Sequence, residues 1–122
     1  MISVCIATHN GCKYLREQID SIIPQLDNND EIVISDDGST DETLSLLESY
    51  HDSRIHIYHF SSPSKLPGFR LATLNFENAL KHSKGDYIFL ADQDDVWMDN
   101  KVSISLSYLK DYDYIVSDAF VT

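Results

Sequence analysis

Leu90-Ala-Asp-Gln-Asp-Asp-Val-Trp97 carries an apolar run, Tyr87 to Ala91, straight into three carboxylates at Asp92, Asp94 and Asp95. Acids stacked this closely at a strand end repel one another unless a cation or ordered donors sit among them. Asp92-Gln93-Asp94 has the D-x-D form that can present carboxylate oxygens to one divalent ion holding a diphosphate. Upstream, a second apolar run, Glu31 to Ser35, also empties into acids, Asp36-Asp37-Gly38-Ser39. Two acidic strand ends in one α/β pattern predict a nucleotide-and-metal site.

Working outward, Ser3-Val-Cys-Ile-Ala-Thr8 is nearly continuous in apolar residues, as expected of a strand covered on both faces, and Asn10-Gly11 breaks it. Leu15, Ile19, Ile22, Ile23 and Leu26 recur at helical spacing, predicting a helix over about Lys13 to Gln25. After the turn Asp27 to Asp30 and the strand Glu31 to Ser35, Ser39-x-x-Glu42 has the form of a capping box. It would open a helix through Leu44, Leu47 and Tyr50. Arg54 to His59 alternates as a half-exposed third strand, and Ser61 to Gly68 is loop-like. A helix from about Leu71 to His82 leads into the Tyr87 to Ala91 strand. Met98, Val102, Leu106 and Leu109 mark another helix, and Tyr114 to Ser117 a fifth strand.

Strands alternating with helices predict parallel βαβ units, with helices on both faces of a mostly parallel, Rossmann-like sheet. Such sheets bind ligands beyond the carboxyl ends of their strands. Thr8-His9-Asn10, Asp36-Asp37 and Asp92-Gln93-Asp94 all fall at such ends.

The bulk properties bound the function. A chain of 122 residues, 43% hydrophobic, supports one domain over 1–122 with a real core. Nine basic against 20 acidic side chains, net charge −11, argue against a nucleic-acid partner. They do not exclude a nucleotide ligand, because a bound metal can carry the phosphate charge. Cys5 and Cys12 form no metal or disulfide spacing and suit a reducing compartment. No apolar run reaches membrane-spanning length, so the chain is read as soluble and cytoplasmic. A peripheral position at the inner membrane face stays open for the full-length protein.

Each motif has a plainer reading beside the chemical one. Asp92 and Asp94 suit Mg²⁺ or Mn²⁺, hard ions held by one or two carboxylates plus substrate phosphates. The plainer reading is a polar turn and helix cap, which fits Asp95 and Asp99. Asp37 is an acceptor for a base or ribose donor, and a carboxylate accepting an imide N–H favours uracil or thymine; the alternative is turn chemistry. His9 is either a stacking surface or structural, and Arg70 either reaches a diphosphate or is solvated. His56 and His59 are surface residues, and Trp97 packs under the acidic loop.

Three landmarks together resemble family 2 glycosyltransferases of the GT-A fold, in their amino-terminal half. They are Ile2-Ser-Val-Cys-Ile-Ala-Thr-His-Asn-Gly11, Val33-Ile-Ser-Asp-Asp-Gly-Ser-Thr-Asp41 and Lys84-Gly-Asp-Tyr-Ile-Phe-Leu-Ala-Asp-Gln-Asp-Asp-Val-Trp97. The last is similar to bacterial rhamnosyltransferases and surface-polysaccharide enzymes. The resemblance implies a UDP- or dTDP-linked sugar donor, inversion at the anomeric carbon, and a glycan or lipid-linked acceptor. It implies that Ala7, Thr8, His9 and Asn10 line the base pocket and that Asp37 contacts the base. Asp36 would support the ribose side, Asp92, Gln93 and Asp94 would meet metal and diphosphate, and Arg70 and Asn75 fall in a donor-contacting region.

The family's general base comes from a segment after the fifth strand, so it is expected beyond Thr122. The chain is therefore expected to be the donor-binding part, lacking the acceptor-binding segment and weakly active or inactive alone. Apolar surface left by that missing segment would favour a homodimer. The competing readings are a non-catalytic nucleotide-binding fragment, a nucleotidyltransferase and a phosphoacceptor receiver domain. A receiver needs a carboxylate pair after the first strand, where Thr8-His9-Asn10 stands. A nucleotidyltransferase usually has a Gly-rich loop there, for which Asn10-Gly11-Cys12-Lys13 is a poor substitute.

Overall fold

The computed structural model of the chain describes residues 1–61, 68–92 and 96–109, with only the backbone described at 68, 69 and 92. Its strands are β1 (Ile2–Thr8), β2 (Glu31–Asp36), β3 (Ile55–His59) and β4 (Tyr87–Asp92). The inner strands β1 and β2 are covered on both faces, while β3 and β4 are partly open. The helices are α1 (Cys12–Ile22), α2 (Thr43–Glu48), α3 (Gly68–His82) and α4 (Lys101–Leu109).

All strand pairings are parallel, in the order β3-β2-β1-β4. β1 is central: Thr8 lies opposite Asp36 on one side, and Ala7 opposite Asp92 on the other. The chain builds outward from β1 through β2 to β3, then returns to β1's other edge. That reversal is the switch point at which open α/β sheets take ligands.

Alternate residues of each strand feed two layers of core. On one face Val4, Ile6, Ile32, Ile34, Phe89 and Ala91 pack with Leu15, Ile19 and Ile22 of α1, Leu47 of α2 and Val102 of α4. On the other, Cys5 and Val33 pack with Ala79 of α3 and with Tyr58. Helices on both faces and a parallel sheet agree with the sequence reading. The Tyr114 to Ser117 strand and most of the Ser61 to Gly68 loop lie outside the described residues.

Two local expectations are corrected. The first helix ends at Ile22 and continues as a 3₁₀ turn, Ile23–Gln25, because Pro24 has no N–H to continue the α pattern. Ser39 does not cap the second helix, which starts at Thr43 with no side-chain cap from Glu42. Asp41 takes that role, accepting the Thr43 N–H at 2.9 Å.

At the amino end of the sheet, buried acids tie strands to turns. Asp30 accepts the Ile2 and Asp27 N–H groups, each at 2.8 Å, and Glu31 accepts the Ser3 hydroxyl and the Lys84 N–H. Glu31 also comes within 4.0 Å of His56, so that exposed histidine has an acidic neighbour across the strand pair. Gly85 passes so close to β1 that a Cβ there would lie 2.6 Å from Ser3 Oγ and 2.7 Å from Ser3 N. Gly85→Ala is expected to cost about 1–3 kcal/mol through this clash. Urea unfolding with a lower midpoint and unchanged slope would register it; an unchanged midpoint would show that the turn shifts freely.

Candidate functional site

The carboxyl end of β1 is where the loops meet. Asp36, at the end of β2, is fully buried, and a carboxylate taken out of water needs donors. Three are supplied: Thr8 Oγ1 at 2.7 Å, Ser39 N at 3.0 Å and the Ser39 hydroxyl. Ser39 Oγ in turn accepts the Asn10 N–H at 2.9 Å. Asn10 Oδ1 receives the Thr40 N–H at 2.7 Å and the Asp41 N–H at 3.3 Å. Holding these bonds places Asn10 in the left-handed region, φ 51°, which Asn tolerates better than most residues. Gly38 turns at φ 60° between the two acids and Ser39.

The network continues to both neighbouring helices. Asp41 accepts the Cys12 N–H at 3.3 Å and the Thr43 N–H and hydroxyl, while Thr43 Oγ1 accepts the Gly11 N–H at 3.0 Å. Hydrogen bonding from Thr43 holds the Asp41 carboxyl down at about 2. Hydrogen bonding to that carboxylate, first among the causes, raises the Cys12 thiol.

Asp37 sits one step beyond the buried acid and is partly exposed. Its N–H donates to the Thr8 carbonyl at 2.9 Å, and its own carbonyl lies 2.6 Å from His9 Nδ1. A carbonyl only accepts, so Nδ1 carries the proton, and the exposed His9 ring is fixed beside Asp37. Asn75, at 3% exposure, donates from Nδ2 to the same Thr8 carbonyl at 3.2 Å. Its Oδ1 is buried without a partner among the described residues.

Ala7, Thr8, His9, Asn10, Asp36, Asp37 and Asn75 are therefore gathered at one edge, and the register brings the backbone of Asp92 beside Ala7. Arg70 is exposed, five residues before Asn75 on α3. At 1.5 Å rise per residue it lies about 7.5 Å further along the helix axis, beyond the strand ends. Gln93, Asp94 and the Asp92 side chain lie outside the described residues. Among those described, no group of three or more His, Cys, Asp or Glu side chains is placed to hold a metal ion.

Trp97 is buried and tilted against Phe89, ring centroids 5.5 Å apart, while the acidic loop it is expected to pack under lies outside the described residues. The Asn10–Ser39–Thr40 and Asp41–Thr43 contacts were not anticipated. Left-handed Asn10 beside Gly11 was their only local trace. A cavity of about 330 Å³ lined by Asn28, Tyr50 and Arg54 lies before β3, at the other end of the sheet. No helix among the described residues is long and apolar enough to cross a membrane.

A parallel sheet with polar loops converging at its switch point is an open α/β domain of the kind that takes ligands beyond its strand ends. The chain belongs to glycosyl transferase family 2, whose sequence profile matches residues 3–122. It is 34% identical over 113 residues to an uncharacterized glycosyltransferase, RP339, of Rickettsia prowazekii, covering 93% of this chain and 33% of that protein. To the dTDP-rhamnosyl transferase RfbG of Shigella flexneri it is 38% identical over 108 residues, 85% of this chain and 36% of the relative. Residues 1–349 of Staphylococcus aureus TarS, solved with UDP-GlcNAc, superpose with a TM-score of 0.76 at 25% identity, over 92% of this chain and 32% of that one. The fold is thus that of the GT-A glycosyltransferases. The chain spans about a third of the length of these relatives.

Asp36→Asn puts an amide where all partners donate, and is expected to cost about 1–3 kcal/mol. Hydrogen exchange should quicken at Ser39 and Asn10; unchanged protection there would show that other bonds hold the loops. Asp41 has a folded value of about 2, lowered from an ordinary 3.8, so its stabilising share is present above 3.8 and is lost as pH falls through about 2. An NMR titration of its carboxyl should find a midpoint near 2, and a midpoint near 3.8 would refute the hydrogen-bonded geometry.

Proposed function

We propose that the chain is the donor-binding part of an inverting glycosyltransferase that uses a UDP- or dTDP-linked sugar. Its acceptor is a glycan or lipid-linked sugar of surface polysaccharide synthesis. The observation that carries this reading is the convergence on β1: the Asp36-Asp37 loop on one side, and the backbone start of the Asp92-Gln93-Asp94 segment on the other. A dTDP-sugar relative and a UDP-sugar complex among the matched proteins support the donor class.

In this reading Ala7, Thr8, His9 and Asn10 wall the base pocket, with the His9 ring edge fixed by Asp37. Asp37 accepts the imide N–H of uracil or thymine. Asp36, buried beneath, bears on the ribose side through the loops it ties together rather than by contact. Asn75 steadies the Thr8 carbonyl, and Arg70, beyond the strand ends, reaches toward the diphosphate. The Asp92, Gln93 and Asp94 segment takes the diphosphate, with Asp92 and Asp94 as ligands to Mg²⁺ or Mn²⁺. When bound, that ion neutralises the departing nucleoside diphosphate and acts as a Lewis acid on it.

A sugar-nucleotide donor and two free cysteines favour a reaction in the cytoplasm, peripheral to the inner membrane face. The exposed Ile88 and Leu90 of β4, 40% and 56% accessible, favour association with a second copy. Sedimentation giving a monomer at all concentrations would contradict that association.

Calorimetric titration with UDP and dTDP, with and without Mn²⁺, tests the donor site. Binding is expected to need the metal and to be lost in Asp94→Ala. A folded chain that binds neither nucleotide would refute the proposal, and tight binding unaffected by Asp94→Ala would move the site elsewhere.

A further inference from the structure

The loops at the carboxyl edge enclose one chemically labile pair. Of the six asparagines, only Asn10 precedes a glycine. Glycine puts no Cβ beside its nitrogen, so that nitrogen can attack the preceding side-chain amide with little crowding. Asn10 is exposed, so water reaches whatever forms there. Neither reacting group, however, is left to turn. Asn10 Oδ1 accepts the Thr40 and Asp41 N–H groups at 2.7 and 3.3 Å, from a loop 30 residues on. The Asn10 N–H donates to Ser39 Oγ at 2.9 Å. The Gly11 N–H, on the attacking nitrogen, donates to Thr43 Oγ1 at 3.0 Å, and the Thr43 hydroxyl is itself engaged by Asp41. The Gly11 carbonyl accepts the Tyr14 and Leu15 N–H groups, each at 3.1 Å, as α1 begins. Gly11 is thus fastened through both of its main-chain polar groups.

We propose that Asn10 is a site of spontaneous modification, closing onto Gly11 as a cyclic imide, and that its bonds to the Ser39–Thr43 loop set the rate. Gly11 N gives its proton to hydroxide and bonds to Asn10 Cγ. The Cγ–Nδ2 bond breaks, and Nδ2 takes a proton from water and leaves as ammonia. Water then opens the imide. Opening at Cγ leaves aspartate; opening at the Asn10 main-chain carbonyl leaves isoaspartate, with Cβ and Cγ now in the main chain. The attack needs nitrogen and carbon within about 3–3.5 Å and aligned. Reaching that alignment turns Gly11 N away from Thr43, and losing its proton leaves Thr43 Oγ1 without a donor. Isoaspartate would lengthen the main chain by a methylene between His9 and Gly11, which disrupts the paired bonds to Ser39 and Thr40. The fold therefore shields a bond that opening of the loops exposes.

Wild type, Thr43→Val, Thr43→Ser, Ser39→Ala and Gly11→Ala are held in warm, mildly alkaline buffer, folded and, in parallel, unfolded in guanidinium. Peptide mapping by mass spectrometry follows ammonia loss and acid formation at Asn10, and circular dichroism checks each fold. Gly11 has φ −104°, which any residue adopts, so alanine crowds the nitrogen without straining the backbone. Folded wild type is expected to convert about tenfold more slowly than the unfolded chain, or slower still. Folded Thr43→Val should convert about tenfold faster than wild type, with Ser39→Ala moving in the same direction. Thr43→Ser should keep the wild-type rate, and Gly11→Ala should slow conversion in the unfolded chain. Conversion of folded wild type as fast as in guanidinium, or wild-type rates in folded Thr43→Val and Ser39→Ala, would overturn the shielding. An Asn10 that stays intact in the unfolded chain would overturn the modification site itself.

Discussion

A carboxylate without exposure, Asp36, organises the carboxyl edge of this sheet. Burying it is tolerable only because Thr8, at the end of β1, and Ser39, in the loop after β2, turn donors toward it. The cost of burial and the order of the loops are therefore one problem with one solution. From Ser39 the same logic passes to Asn10, then through Asp41 and Thr43 to the starts of α1 and α2. Polar groups that would otherwise compete for water are spent on one another, which fixes His9 and Asp37 at the rim.

What the sequence disclosed, and what it withheld, follows from the range of the forces involved. Val4, Ile6, Ile32 and Ile34 lie in unbroken apolar runs, so the strands and their burial on both faces were legible from neighbours alone. The parallel arrangement followed from alternation with helices, and the site's edge from where acids follow strands. Ser39-x-x-Glu42 misled because a second local partner was stronger: Asp36, three residues upstream, claims the serine. Asn75 was picked out by resemblance alone, and its bond to Thr8 spans 67 residues.

Gln25 left no trace of any kind, since its partners Met98 and Val102 are more than 70 residues away and nothing near it marks an amide as necessary. The turn that Pro24 forces on the end of α1 is what points Gln25 at the incoming chain.

β1 is the first strand made and an inner one, flanked by β2 about 28 residues on and by β4 about 85 residues on. Closing the second seam costs more chain entropy than closing the first, and contacts of such separation form slowly. During synthesis β1, β2 and β3 can zip together while the other side of β1 waits as a bare, apolar edge, the kind that pairs with the wrong chain. The wait ends when Gly85 slides against Ser3 and Asp86 meets the amino terminus. A partly folded chain would thus hold His9 beside Asp37 before the backbone of Asp92 comes to lie next to Ala7.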